Sequence, residues 1–140
     1  MIPTTYKLLL VKDKKVLAEV PLLTDADANR DFLEKEIDEF EEDEFKELSE
    51  LYDTFSNEDR LRMITKMLTS DEPVRFVDFM NDLELNQKLV SEYCKRMMSS
   101  GLVRSRERGK YEVSPLGLSS FLVATVAMRR IMKVLEEEME

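Results

Sequence analysis

The sequence contains no histidine. That removes the commonest general base, the commonest transition-metal ligand and the usual switch of charge near neutral pH. A single cysteine, Cys94, excludes an intrachain disulfide and a thiolate metal cluster within one chain. No nucleophile–base pair or phosphate-binding loop stands out either, so neither enzymatic activity nor a metal or cofactor is expected. No apolar run reaches the roughly 18 residues that a bilayer span needs. The first 30 residues also lack the cationic start and small-residue cleavage site of a signal peptide. The expectation is a mature cytoplasmic protein without a membrane partner. With three glycines and four prolines, and no repeat or Gly/Ser-rich stretch, the chain reads as continuously structured.

What is present is charge and apolar periodicity. The 140 residues are 43% hydrophobic and 36% charged, the balance of a globular chain long enough to bury a core. The net charge of −9 is unevenly placed. Residues 1–55 hold 7 Lys/Arg against 16 Asp/Glu, whereas residues 56–140 hold 14 of each. Within 86–110, seven basic residues face only Glu92 and Glu107. A polyanionic partner responds to that local field rather than to the overall sum.

"YKLLLVKDKKVLAEVPLL" reads as a hairpin turning at Lys12–Lys15. Asp25 or Asp27 can cap a long acidic helix through Phe55, with Leu33, Ile37, Phe40, Leu48, Leu51 and Phe55 at helical spacing. The run Glu41–Glu44 reads as a solvated face of that helix. Ser56 and Asp59 resemble a capping box for the next helix, whose stripe is Leu61, Ile64 and Leu68. A short helix follows Pro73, with Phe76, Phe79, Met80 and Leu83 apolar. Asn86 then caps "QKLVSEYCKRMMSS", which Gly101 ends. Val90, Cys94 and Met97 of that helix face the core, so Cys94 is read as a buried thiol. Gln87, Lys88, Ser91, Glu92 and Lys95 occupy its opposite face.

The stretch "GLVRSRERGKYEVSPLG" places Arg104, Arg106, Arg108 and Lys110 at one parity of a hairpin that turns at Arg108–Gly109, with Val103, Tyr111 and Val113 inward. Ser114 and Pro115 open the last helix. Phe121, Met128, Met132 and Leu135 lie along one side of it, with more apolar surface than a small core needs. That surplus suggests a second chain.

The expected fold is mainly α with small β-hairpins, an α+β arrangement in one compact unit. Residues 1–55 form a hairpin and acidic helix, 56–117 a winged helix-turn-helix, and 118–140 a dimerisation helix. Helix, short helix, turn, helix, hairpin, helix is the element order of a winged helix-turn-helix. In that order the third helix offers a polar face to the major groove and the hairpin lays cations along the phosphates.

Two segments, "LYDTFSNEDRLRMITKML" and "VSEYCKRMMSSGLVRSRERGKYEVSPLG", resemble the ArsR-type and related archaeal and bacterial winged-helix regulators. The resemblance rests on Ser56-Asn57-x-x-Arg60, on Val90-Ser91 with Lys95, on Gly101-Leu102-Val103, and on Tyr111, Val113, Ser114 and Gly117. It covers about residues 48–118 and says nothing of residues 1–47. It implies a homodimeric regulator of transcription that binds double-stranded DNA. Gln87, Lys88, Ser91 and Lys95 would lie at base edges or flanking phosphates, and Arg104, Arg106, Arg108 and Lys110 on the backbone. The metal-sensing cysteines and histidines of some members are absent, with Val77, Phe79 and Met80 in the short helix, so no metal is expected. Tyr93 stands where the family often has His. The alternative is a winged-helix protein–protein interaction module that reads no bases, a reading that the acidic residues 25–53 favour.

Overall fold

The computed structural model describes residues 6–22 and 30–139. The chain forms two compact units, Met1–Phe45 and Lys46–Glu140. It is an α+β protein, with helices beside two small antiparallel sheets.

In the first unit, strands β1 (Tyr6–Lys12) and β2 (Lys15–Leu22) pair antiparallel. Asp13 and Lys14 both take positive φ between them, as the favoured two-residue hairpin turn requires. The candidate caps Asp25 and Asp27 lie outside the described residues. The single acidic helix expected through Phe55 is instead two, α1 (Arg30–Glu39) and α2 (Glu42–Phe55). The break has a physical cause. Glu42, Asp43 and Glu44 fall in the first turn of α2, where the free N–H groups favour negative charge. Phe40 also stacks on Phe45 at 5.0 Å between ring centroids, the apolar pair that staples a helix start.

In the second unit, α3 spans Glu58–Thr69. Its cap is Asn57 rather than Ser56: Asn57 Oδ1 accepts the Arg60 N–H at 3.1 Å. The Ser56 hydroxyl instead donates to the Asp53 carbonyl at 2.7 Å, closing α2. The buried stripe of α3 is also turned from the expected one, with Met63, Ile64 and Met67 inside and Leu61 and Leu68 half-buried.

After Pro73 the chain first makes a two-residue strand, β3 (Val74–Arg75), and only then the helix α4 (Phe76–Leu83). Glu84 in left-handed conformation ends α4, and α5 (Gln87–Ser99) follows under an Asn86 cap that accepts the Leu89 N–H at 2.8 Å. Strands β4 (Val103–Glu107) and β5 (Lys110–Val113) complete a three-stranded sheet in the order β3-β5-β4.

The last helical run holds α6 (Pro115–Phe121), a π-helical turn at Leu122–Ala127 and α7 (Met128–Met139). The widened turn coincides with Val123, Thr125 and Val126, whose branched side chains are confined in α geometry. The core of this unit is Met63, Ile64, Met67, Phe79, Val90, Cys94 and Met97, with Val74 and Val103 from the sheet. Among the described residues, no helix is long and apolar enough to cross a membrane.

Candidate nucleic-acid interface

The amphipathic pattern of α5 decides what it offers to solvent. Val90, Cys94 and Met97 are buried, and the helix is held on that side. Gln87, Lys88, Glu92 and Lys95 are exposed and Ser91 half-buried on the other. With Asn86 these side chains line a shallow depression of about 720 Å³. Burial alone pushes the Cys94 thiol up to about 12, so it is protonated and unreactive in the folded chain.

Two turns fix the hairpin to this helix. The Gly101 N–H donates to the Met98 carbonyl and the Leu102 N–H to Met97, which caps the end of α5. That geometry needs the positive φ of Gly101, 79°. Ser114 then ties the return strand back: its hydroxyl donates to the Gly101 carbonyl at 2.7 Å and accepts the Gly117 N–H at 3.0 Å. Gly117 is needed for contact rather than conformation. A Cβ there would stand 2.1 Å from the Leu102 carbonyl oxygen. The Gly-Leu-Val and Ser-x-x-Gly pieces of the sequence are thus two halves of one joint. At the other edge, the Phe76 N–H donates to the Gly109 carbonyl at 3.0 Å, anchoring the hairpin turn to the start of α4.

The four hairpin cations do not form a uniform comb. Arg104 pairs with Glu112 across the strands, but the register slips between Arg104 and Glu107. This bulge adds a residue to β4 and breaks its alternation. Arg104 Nε donates to Glu112 at 2.9 Å, and Arg106 converges on the same carboxylate. The two guanidiniums, Arg106 foremost, hold the Glu112 carboxyl below its ordinary range. Lys110 lies 3.4 Å from Glu107. Arg108, in the turn, has no ion pair among the described residues. Four cations and two carboxylates leave the hairpin at +2.

Sequence reasoning missed two contributors. Glu112 was not separated from its strand, although its charge among four cations was the available signal. Arg60 enters the sequence reading only through the Ser56-Asn57-x-x-Arg60 pattern, without a structural role, yet it is only 4% exposed. Its guanidinium donates to the carbonyls of Thr54 (3.1 Å) and Asp53 (2.6 Å), closing the end of α2, and lies 5.3 Å from the centre of the Tyr93 ring. Tyr93 is therefore buried at the core edge, its hydroxyl 3.4 Å from Asp59.

The residues expected at a dimer interface divide. Phe121 packs inside the chain against Phe55, 6.4 Å between ring centroids. Met128 and Met132 are exposed and Leu135 half-buried. Met128 also lines an apolar groove of about 580 Å³ between α2 and the last helical run, with Leu51, Tyr52, Phe55 and Val123. Among the described residues, no group of His, Cys, Asp or Glu is placed to hold a metal ion. No protein-family model matches the chain, and comparison with the curated proteins found no match.

Proposed function

We propose that this chain is a homodimeric regulator that binds duplex DNA through a winged helix-turn-helix, with α5 in the major groove and the β4–β5 hairpin as the wing. The observation that carries the reading is the division of α5. One face is locked into the core while Gln87, Lys88, Ser91 and Lys95 stand on the other, and a cationic hairpin is joined to the helix end by the Gly101–Gly117 joint. Bidentate amides, hydroxyls and lysines are the side chains that reach base edges and phosphates. The exposed Met128 and Met132, beside the apolar groove, fit a two-fold partner. A dimer would read a roughly palindromic site with half-sites about one helical turn apart.

A different observation favours the second reading, a protein-interaction module of the same fold. Glu112 and Glu107 already pair with three of the four wing cations.

Fluorescence anisotropy on a mixed-sequence duplex across a salt series separates the two. Each phosphate contact contributes about 0.9 to the log–log slope. Replacing Arg104, Arg106 and Arg108 together by Ala flattens the slope by roughly 5 if all six arginines of a dimer sit on phosphates. The loss is about 2 if only Arg108 of each subunit does so. Absence of binding at low salt rejects the regulator and leaves the interaction module.

A further inference from the structure

The N-terminal hairpin is a two-stranded ribbon with no third strand among the described residues. Such a ribbon is marginal in water, and three or more strands with an apolar face are needed for independent stability. Its register puts Tyr6, Leu8 and Leu10 on the same face as Ala18, Val20 and Leu22. Lys7 and Glu19 form an ion pair on the opposite face, 2.8 Å apart. Leu8, Leu10 and Val20 remain exposed.

The two edges of the ribbon are not alike. β2 carries the extra residue of a bulge, Leu17, because Leu10 faces Ala18 while Val11 faces Val16. It also carries Pro21, which has no N–H to donate. Bulges, prolines and lysines all blunt a sheet edge against pairing. β1 has no bulge or proline and runs regularly from Tyr6 to Lys12, with Lys7 and Lys12 near its ends and Leu8–Val11 between them.

We propose that β1 pairs antiparallel with β1 of a second copy, in the register centred on Leu9. Two-fold antiparallel pairing keeps each residue on its own face, so residues of opposite parity cannot face each other. Among the allowed registers, the one with Leu9 opposite Leu9 pairs all seven residues of the strand. It sets Leu8 against Leu10, Lys7 against Val11 and Tyr6 against Lys12, so no two lysines meet. The product is a four-stranded sheet in which Leu8 and Leu10 of both copies join on one face, flanked at each end by Lys12, and its outer edges are the two blunted β2 strands.

The test is disulfide capture in the full-length protein. Leu8 and Leu9 are equally accessible, 42% and 47% exposed, so random collision treats Leu8→Cys and Leu9→Cys alike. In the proposed register the two residues at position 9 are directly opposed, within disulfide reach. The two residues at position 8 are offset by about 7 Å along the strands, which places them beyond it. Under mild oxidation, Leu9→Cys yields a reducible covalent dimer on a non-reducing gel, and Leu8→Cys does not. Cys94 is buried and takes no part. Dimer in neither variant, in both equally, or in Leu8→Cys alone overturns the pairing. None of these readouts involves DNA, so they are independent of the regulator reading.

Discussion

Arg104 donates to Glu112 at 2.9 Å, and Arg106 closes on the same carboxylate from the next exposed position of β4. The bulge makes this convergence possible, and it sets how much of the hairpin charge is free for a phosphate backbone. Glu112→Gln keeps the shape and a hydrogen-bonding oxygen while removing one negative charge per subunit. If the hairpin lies on DNA, binding tightens at low salt and the log–log slope steepens, by up to about 2 for a dimer. An unchanged slope in the anisotropy series places the hairpin away from the duplex.

Acid should loosen two carboxylate contacts of this region together. Asp78 is held below its ordinary range chiefly by its hydrogen bonds from Arg75, and Glu112 by those from Arg106 and Arg104. A carboxylate depressed in the folded state stabilises above its unfolded pKa of about 4, and the contribution disappears as pH falls through the folded value. The Tm of the wild type therefore drops more steeply below about pH 4 than that of Asp78→Asn/Glu112→Gln. Thermal melts followed by circular dichroism between acid and neutral pH check the difference, and parallel curves reject it.

The joint between hairpin and last helix gives a sharper test. Gly117→Ala puts a methyl group against the Leu102 carbonyl and within 2.7 Å of Val113 Cγ1. Neither backbone nor packed side chain can yield without moving the sheet, so the substitution destabilises by about 1–3 kcal/mol. Gly109→Ala meets no atom within 4 Å and strains only the positive φ, with a cost of about 1 kcal/mol. Denaturant midpoints should rank wild type above Gly109→Ala above Gly117→Ala.

What could be read from the sequence was what local chemistry decides. Asn86 and Gly101 bracket α5, Ser114 and Pro115 start α6, and the apolar spacing of Val90, Cys94 and Met97 marked the buried face. These signals act over three or four residues. The strand at Val74–Arg75 exists only because β5 pairs with it, and the bulge in β4 shows only as a slip of its register against β5. Both depend on neighbours distant in sequence, and no periodicity records them. Arg60 escaped for a related reason. Its two acceptors are carbonyls of the preceding helix end, exposed by the break at Ser56 rather than by any side chain.

That buried guanidinium carries the last prediction. Arg60 satisfies the carbonyls of Asp53 and Thr54 and covers the Tyr93 ring, so it joins the end of α2 to α5 through one side chain. Arg60→Met fills much of the same volume but removes the charged donor from both carbonyls: that of Asp53 keeps the Ser56 hydroxyl, whereas that of buried Thr54 loses its partner. Hydrogen bonds from a charged donor contribute about 1.5–3 kcal/mol each, and a buried orphan acceptor costs a similar amount. Arg60→Met should therefore lose about 2–4 kcal/mol in urea unfolding. Arg60→Lys, a point charge without the planar fork, recovers only part of it. The Cys94 thiol reports the event directly. Buried beside Tyr93, it resists a thiol reagent in the native protein and reacts as unfolding exposes it. Its labelling rate should rise in the order wild type, Arg60→Lys, Arg60→Met. Equal labelling rates in all three would mean that Arg60 holds nothing that the core does not already hold.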